Sequence, residues 1–393
     1  MNTSLSARLR RQQQGVSLIE VMVGVSLGIV ASLVVTSVYS ASESFRRNIS
    51  GGADAMQTAA LASVRIDMTV QEAGAGFVRA SNLWGCKLNA KSGTTQRMPL
   101  TAAAPTPFSA IPINLRMVPV AVINGGSGSD VLLVFSGDSA GSNRDVLFDP
   151  AVESLVTSVS LAISPKDLLL VVPQDFTGDP GDCQIVQVAN SFAPGAAVSD
   201  AGLGVKVAAV APTTVPLDKT TYGDIAAAIK PTSPSALQLG AAPVFSAFAL
   251  NSRGELLERD LLGRRGHQMV AENVFLFKVL LGVDNGNGGT PNDNIVDQWV
   301  SPATAGWSAA ELMDGKASTQ QKITQIKAVR LGLVTRSKRS GGSDVVKSEI
   351  KLFSDLGENA AYSRTLTTDE RTYQYQQYEW IVPLRNMKAV PKG

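Results

Sequence analysis

The sequence predicts an α+β protein in which one long N-terminal helix, apolar in its first half, packs on a β-rich and mainly antiparallel head. Two observations support this prediction. From Val16 to Val38 the only charged residue is Glu20, so the chain starts with an uninterrupted apolar helix. Beyond residue 76, short apolar runs are bounded by Gly, Pro, Asn and Asp, which is typical of strands and turns, and no long helical patterns alternate with them.

The first part of the chain is a short basic leader, residues 1–15, that ends at Gly15. The apolar run behind it is about 23 residues long, and as a helix it spans roughly 35 Å, enough for the core of a bilayer. Residues 16–39 therefore predict a transmembrane half of the helix. Glu20 lies near the start of this half, and a carboxylate at the centre of a bilayer costs about 2.5 kcal/mol or more, so it requires a partner. The charges of the leader come from Arg8, Arg10 and Arg11.

Residues 40–76 predict an amphipathic half that continues the same helix beyond the membrane, because the sequence has no proline before Pro99. Apolar side chains recur there at three- and four-residue steps, and we expect them to form a stripe that lies against the head. Two neighbouring glycines, Gly51 and Gly52, are a candidate bend, and the helix is expected to end near residues 74–76. The apolar stripe consists of Phe45, Ile49, Met56, Ala59, Ala60, Val64 and Met68.

The head is predicted to occupy residues 77–393. Its strand candidates are short runs rich in Val, Leu, Ile and Phe, and a capping-box pattern at residues 308–311 predicts one short helix. A stretch near residues 190–245 is rich in Ala, Pro, Thr and Gly and predicts a loop-rich insertion. The strand candidates lie at residues 130–135, 167–172, 183–188, 245–250, 255–259, 274–283, 326–335 and 379–384.

The charge balance argues against a broad nucleic-acid surface. The net charge is +2, with 35 basic and 33 acidic residues, and the arginines of the leader supply that excess, so the remaining chain is close to neutral. A local basic group remains at Arg336, Lys338 and Arg339. The neighbouring residues 340–343 are Ser and Gly, which predicts that this group lies in a solvated hairpin loop.

The inventory of catalytic residues predicts that this protein is not an enzyme. His267 is the only histidine, and neither a nucleophile motif nor zinc-ligand spacing accompanies it. We expect it to lie on the surface. The sequence contains no Walker loop and no GxGxxG between a strand and a helix, so neither a nucleotide nor another cofactor is expected.

One loop, residues 284–297, has the ingredients of a calcium site. It places Asp, Asn and Gly at close spacing, and Asp284, Asp293 and Asp297 would supply carboxylate ligands. Two of its early donor positions are Asn, however, and no Glu stands twelve residues into the loop to act as a bidentate ligand. A plain turn between two strands, without a metal, is therefore the favoured interpretation, and calcium binding is the alternative.

The segment around Gly15 allows three interpretations. A secretory signal has an apolar core of about 7–15 residues followed by its cleavage site, whereas here the apolar run is longer and the glycine precedes it. A plain signal anchor explains the arginines of the leader but not the pairing of Gly15 with Glu20. Finally, the hexapeptide GVSLIE at residues 15–20 resembles the type III signal of type IV pilins and pseudopilins.

This resemblance implies three roles at the start of the chain. A prepilin peptidase would cut between Gly15 and Val16 and would N-methylate Val16, which stands where the family usually has Phe or Met. Glu20 becomes the fifth residue of the mature chain, and its implied role is an assembly salt bridge with the N-terminal amine of a neighbouring subunit. Such a pair makes physical sense, because in a medium of low dielectric constant either charge alone is penalised.

The C-terminal third resembles the PilW family of minor pilins. Its segments match the family in the same order along the chain, and further agreement lies near the helix and the cysteines. The resemblance implies a pilin-like head behind the long helix. The matching segments are residues 274–284, 297–299, 326–336 and 382–386, with additional agreement at Arg65-Ile66-Asp67, Ala73-Gly74, Gly85-Cys86 and Asp182-Cys183.

The family resemblance implies a minor pilin that joins a minor-pilin complex, primes type IV pilus assembly and sits at the pilus tip, supporting pilus-dependent motility, adhesion or DNA uptake. Its implied partners are other minor pilins, the major pilin, the prepilin peptidase, the inner-membrane assembly platform and a tip adhesin. Before assembly the chain would cross the inner membrane once, with its head in the periplasm. The alternative is a minor pseudopilin of a type II secretion system, which shares the signal, the helix and a β-rich head.

The two cysteines, Cys86 and Cys183, are expected to form one disulfide. They lie far apart with no CxxC spacing, so metal binding is not expected. In an oxidising periplasm a lone pair of this kind most simply forms a structural bridge, which for so long a loop stabilises the fold by about 4–5 kcal/mol in the chain-entropy model. Two buried free thiols are the alternative.

Overall fold

The structure is a computed structural model that describes the N-terminal helix and most of the head. Residues 1–14 of the leader, Val16, Arg339 and most of the predicted insertion lie outside the described residues. The described residues are 15, 17–76, 84–138, 147–149, 154–157, 163–173, 179–192, 213–215, 217, 235–338, 347–357 and 360–389.

The long helix α1 runs from Leu18 to Gln71 without interruption. Its 54 residues correspond to about 81 Å at 1.5 Å per residue, and it passes through the two central glycines as regular helix. The chain leaves the helix in a turn where Gly74 and Gly76 have φ angles of 81° and 82°. A side chain at Gly76 would also come within 3.0 Å of the backbone oxygen of Gln238, so the glycines at the predicted end of the helix have a steric reason.

The first part of α1 carries the membrane-competent sequence. Leu18–Glu43 has a mean hydropathy of 2.4 and is long and apolar enough to cross a membrane. No residue in the most apolar part of this segment is buried against the head. Its large apolar side chains are all more than half exposed. This segment is therefore a candidate membrane anchor.

The described part of the head contains many short strands and two short helices. The helices are α2 (Ala309–Leu312) and α3 (Ala317–Gln325), and single 3₁₀ turns lie at Glu370–Thr372 and Asn386–Ala389. The strands are β1 (Lys87–Ser92), β2 (Thr95–Met98), β3 (Val120–Ile123), β4 (Val131–Ser136), β5 (Leu147–Asp149), β6 (Ser154–Thr157), β7 (Leu168–Val172), β8 (Asp182–Gln187), β9 (Thr213–Val215), β10 (Ser235–Gly240), β11 (Val244–Leu250), β12 (Leu256–Asp260), β13 (Gln268–Ala271), β14 (Val274–Val283), β15 (Gln298–Val300), β16 (Ile326–Lys338), β17 (Glu349–Leu352), β18 (Tyr362–Thr365) and β19 (Tyr373–Pro383).

Most of these strands belong to three sheets. The sheets have eight strands in the order β2-β1-β8-β7-β10-β5-β6-β9, five in the order β13-β12-β11-β4-β3, and four in the order β15-β14-β16-β19. Strands β17 and β18 form a separate hairpin. Among the described strands, only β1 and β8 pair in parallel. The predicted α+β class with a mainly antiparallel head is thus confirmed.

The amphipathic half of α1 packs on the head, with β16 and β19 of the four-stranded sheet beneath it, but not through the predicted stripe. Of that stripe only Ala59 is buried, and the larger side chains point outward. The prediction was wrong because two apolar faces recur at helical spacing, and the face with small side chains lets the helix approach the sheet closely. The buried face consists of Ala55, Ala59, Ala62, Ile66, Val70 and Ala73.

A buried ion pair joins the five-stranded sheet to the four-stranded sheet. Lys278 Nζ, on β14, lies 2.7 Å from Asp130 Oδ1, and the two side chains are 6% and 2% exposed. The backbone N–H groups of Gly125 and Val279 also donate to this carboxylate, at 2.9 and 3.0 Å. Burial raises the pKa of Asp130 above its ordinary value, against the lowering effect of the Lys278 charge and of these hydrogen bonds. Removing either partner would leave the other charge buried alone.

The strand candidates all form strands, with bounds that differ by up to six residues, and the predicted short helix forms as α2. The helix begins with the expected capping box, in which the Ser308 side chain accepts from the Glu311 N–H and the Glu311 side chain accepts from the Ser308 N–H. The last strand starts earlier than expected, at Tyr373 rather than Glu379.

One expectation about a loop needs correction, and another stays a prediction. Most of the region predicted to be loop-rich lies outside the described residues, and its described part contains β9 and β10, of which β10 pairs with β7 inside the eight-stranded sheet. The basic group was placed in a hairpin loop, but β16 continues to Lys338 because residues 336–338 still pair with β19. Arg336 stacks there over the Phe275 and Tyr373 rings, 5.8 and 5.0 Å from their centroids.

Candidate functional site

The first candidate site is the start of α1. Ser17 is the N-cap, and the backbone N–H of Glu20 donates to its carbonyl oxygen at 2.9 Å. The Glu20 side chain is exposed, and no group among the described residues pairs with its carboxylate. Gly15 is exposed as well, whereas Val16 lies outside the described residues. The pairing of Glu20 with another subunit, cleavage at Gly15 and N-methylation of Val16 therefore all stay predictions.

The second candidate site is the outward apolar face of α1 beyond its membrane-competent part, which we call the outward stripe. Its side chains are between 56% and 66% exposed, although they are large and apolar. Several large apolar side chains left exposed along one helix are a candidate site of contact with another protein or with a membrane. The outward stripe consists of Phe45, Ile49, Met56, Leu61, Val64 and Met68.

Polar contacts fix the helix to the head below this stripe. Arg65 donates to Glu258 Oε2 from Nε at 2.9 Å and from Nη2 at 2.8 Å, and the Ser246 hydroxyl donates to Oε1 at 2.8 Å. Asn386, just after β19, donates to the carbonyl oxygen of Glu72 at 3.1 Å. The sequence analysis did not identify Glu258 as a partner of Arg65. The signal that could have found it is the position of Glu258 two residues after Leu256 in β12, which places it on the same buried face, where a carboxylate requires a partner.

The predicted disulfide is present. Cys86 and Cys183 are bonded, their Cα atoms lie 5.7 Å apart, and both residues are fully buried. The bridge ties β8 to the segment that enters β1, next to the only parallel pair among the described strands. It therefore closes a long loop across the interior of the eight-stranded sheet, and the alternative of two free thiols is set aside.

The structure brings together the three carboxylates that the sequence analysis named in the loop at residues 284–297. Asp284 is fully buried, and its two oxygens accept from the backbone N–H groups of Asn292 and Asn294 at 2.5 and 2.7 Å. A backbone N–H of Gly286 donates to Asp297 at 2.6 Å. These donors stabilise the charges and close the loop, as a plain turn requires. Asp284, Asp293 and Asp297 each place one carboxylate oxygen within 4.8 Å of the oxygens from the other two residues.

The remaining described surface offers little for catalysis. His267 lies exposed in the turn before β13, as expected. A cleft of about 230 Å³ is lined by the Lys278–Asp130 pair and by small and apolar residues together with Asn124, Ser301 and Tyr362. That the protein has no enzymatic activity stays a prediction.

The comparison with known proteins points to one family. The model of the family described as type IV pilus-assembly protein W matches residues 259–386. The match runs from the end of β12 to the turn after β19, and it therefore includes the whole four-stranded sheet that packs under α1. No curated protein and no solved structure gives a significant match. The family match supports the predicted PilW relationship and a part in the machinery of type IV pilus assembly.

Proposed function

We propose that this protein is a minor pilin that joins a minor-pilin complex, primes type IV pilus assembly and sits at the pilus tip. The observation that carries the proposal is the family match, because it covers the sheet on which the long helix is mounted. The pilin-like signal at residues 15–20 lies at the other end of that helix. The two features come from separate parts of the chain and agree on one class of protein.

The start of the chain supports a defined sequence of events. A prepilin peptidase removes residues 1–15 by cutting after Gly15, and the new amine of Val16 is N-methylated. Glu20 then faces the N-terminal amine of a neighbouring subunit in the membrane. Its carboxylate has no partner among the described residues, and in hydrocarbon an ion pair is favoured over two separate charges.

The outward stripe supports assembly through helices. In the free chain these large apolar side chains face water beyond the membrane-competent segment. When helices of other minor pilins and of the major pilin pack along α1, the stripe is removed from water, which is favourable by roughly 25 cal/mol for each Å² of apolar surface.

The head supports a position at the end of a filament and a structural role. It spans most of the chain, and such bulk suits a tip better than a tightly packed shaft. From this position the protein supports motility, adhesion or DNA uptake together with a tip adhesin. We propose that it is not an enzyme and needs no cofactor, so the energy for assembly comes from a separate motor on the inner-membrane platform.

The second candidate function is a minor pseudopilin of a type II secretion system. The signal at residues 15–20 and the long helix suit it equally, because both filament classes use them. The two functions differ in what is lost when the gene is removed.

Deletion of the gene separates these functions. If the protein is a minor pilin, the deletion strain should lose surface pili under the electron microscope and keep its exported enzymes in the medium. Complementation with the full chain should restore the pili. Normal piliation with a loss of secretion would reverse the assignment in favour of the pseudopilin.

A further inference from the structure

Strand β19 differs from every other strand at an edge of the three sheets. The remaining edge strands of the described sheets, β2, β3, β9, β13 and β15, are only three or four residues long. β19 has 11 residues, and its pairing with β16 runs through all of them without a bulge. Proteins usually keep edge strands short or interrupted, because an open edge offers its backbone to other chains.

The hydrogen-bonding pattern between β19 and β16 shows which backbone groups of β19 point away from the sheet. The N–H of Leu384 donates to the carbonyl oxygen of Lys327 at 2.9 Å, so even-numbered residues of this segment face β16. The odd-numbered residues turn their N–H and C=O groups away from the sheet. The first of these residues, Tyr373, donates its N–H to the carbonyl oxygen of Glu370. The outward N–H and C=O groups of the following odd-numbered residues have no partner among the described residues. The open groups belong to Tyr375, Gln377, Glu379 and Ile381.

The side chains of β19 do not protect this edge. The strand contains no lysine, and its single charged residue, Glu379, is held by Arg330 at 2.8 Å and by the backbone N–H of Phe353 at 2.9 Å. On the face toward α1, the half-buried Tyr378 and Trp380 extend the apolar core to the edge. Pro383 ends the open run, but from Tyr375 to Ile381 the usual devices against pairing, an exposed lysine, a proline or a bulge, are missing.

We propose that the open edge of β19 binds an extended segment of another protein subunit as an added β-strand. The segment carries few charges and alternates apolar residues, which lie beside Tyr378 and Trp380, with polar residues on the opposite face. This inference deepens the proposed function. It rests on that function only in taking the partner to be a subunit of the same assembly.

The candidate membrane anchor disfavours a second copy of this chain, paired in the antiparallel sense, as the occupant. Two identical antiparallel edges pair about a two-fold axis perpendicular to the sheet. That axis reverses every direction in the plane of the sheet, so the α1 helices lying on the two sheets would point in opposite directions. Both helices must enter the same membrane from the same side, because Leu18–Glu43 precedes the head in each copy. A flexible terminus or loop of a different subunit has no such restriction.

The test uses the full chain in detergent micelles and labelled peptides as probes. The probes are overlapping peptides of about 12 residues, each of which matches the length of this strand, drawn from the other pilin-like subunits of the same organism. We expect at least one peptide to raise the fluorescence anisotropy in a saturable manner. With that peptide bound, amide hydrogen exchange at Gln377, Glu379 and Ile381 should slow by about tenfold or more, because these N–H groups become hydrogen-bonded. The amides of Gln376, Tyr378 and Trp380, already bonded to β16, should change little.

A matched pair of variants isolates the backbone contribution. Gln377→Pro removes one open N–H and leaves the ladder with β16 intact, since proline is tolerated on an edge strand when its nitrogen faces outward. It should weaken peptide binding by about tenfold or more, whereas Gln377→Ala should bind like the unmodified chain. If Gln377→Pro does not fold, as judged by its thermal melt, Ile381→Lys replaces it and should weaken binding to a similar degree by placing a lysine at the edge.

Three outcomes would overturn the proposal. No binding by any peptide, equal binding by the proline and alanine variants, or slower exchange without the odd-even pattern would each exclude strand addition at β19. None of these results affects piliation in the deletion strain, so the failure of strand addition and the failure of the proposed function are distinguishable.

Discussion

Among the described ion pairs, the buried pair of Lys278 and Asp130 is the one whose loss should destabilise the fold most. Asp130→Ala would leave the Lys278 ammonium in a site where it is only 6% exposed. We expect the free energy of unfolding to fall by about 3–5 kcal/mol, because an unpaired buried charge has lost its compensation. Urea unfolding of the full chain in detergent, followed by tryptophan fluorescence, measures this change.

A control comes from a second ion pair, in which the aspartate is far more exposed and the arginine is partly buried. Asp179 lies 2.8 Å from Arg116, but its side chain is 48% exposed, and the Arg116 hydrogen bond holds the pKa of Asp179 below its ordinary value. Asp179→Ala should cost less than about 1 kcal/mol, because solvent screens such pairs. Equal losses for the two alanine variants would contradict the importance assigned to the buried pair.

Glu20 is predicted to act in assembly and not in membrane insertion. The apolar run behind it can hold the chain in the membrane, and removing a carboxylate that costs about 2.5 kcal/mol or more in hydrocarbon even eases burial. Glu20→Ala should still be cleaved and membrane-bound but should form fewer crosslinks to other minor pilins, because a neighbour's amine stays unpaired. Ser26→Ala in the same helix is the control. Undiminished crosslinking and piliation by Glu20→Ala would remove this role.

The disulfide should stabilise the eight-stranded sheet. Because the bridged residues are 97 apart in sequence, the chain-entropy model gives a loss of about 4–5 kcal/mol when both cysteines are replaced. We expect the double variant Cys86→Ser, Cys183→Ser to melt at a much lower temperature than the unmodified chain. Alkylation of the unmodified chain without reductant should label neither residue, and complete labelling of both would show that no bridge forms in the cell.

The loop at residues 284–297 should depend on Asp284 but not on calcium. Asp284→Ala removes the acceptor for two backbone N–H groups, so we expect a loss of about 1.5–3 kcal/mol in the free energy of unfolding. Asp293→Ala, at an exposed position, should cost less than about 0.5 kcal/mol. Both values should be the same with calcium and with EGTA. A lower melting temperature of the unmodified chain in EGTA would favour the calcium loop instead.

The elements were predictable wherever local pattern decides the structure. The long helix follows from apolar spacing and missing proline, and α2 follows from the capping box of Ser308 and Glu311. The start of β19 was missed, although its alternation of Tyr and Gln from residue 373 has the period of a strand. β10 lies in a segment of loop-like composition and forms a strand only because β7 supplies its hydrogen bonds.

The contacts that join distant elements were not predictable in the same way. Both apolar faces of α1 have helical spacing, and only the approach to the sheet determines that the alanine face is buried and the outward stripe is free. The pairing of Lys278 with Asp130, and of Arg65 with Glu258, depends on how the sheets are placed, which residue spacing does not encode. The three carboxylates of the loop at residues 284–297 could be named from the sequence because they are close along the chain.

For the molecule as a whole, Gly15 is the residue after which the leader is predicted to be cleaved. We expect Gly15→Val to block processing, because a side chain at the cut would obstruct a peptidase that reads this position next to the helix. The variant should accumulate in the membrane as a precursor that keeps residues 1–15, visible as a slower band after electrophoresis. A control substitution in the leader, Gln12→Ala, should be processed normally, and a mature-sized Gly15→Val product would contradict the assignment.

The most direct test of the proposed pilin class is the intact mass of the chain purified from membranes, with sequencing of its first residues by mass spectrometry. We predict a chain that starts at Val16, carries one methyl group on its amine and has both cysteines oxidised. A chain that still carries residues 1–15, or one cut on the far side of the apolar run, would contradict processing as a pilin.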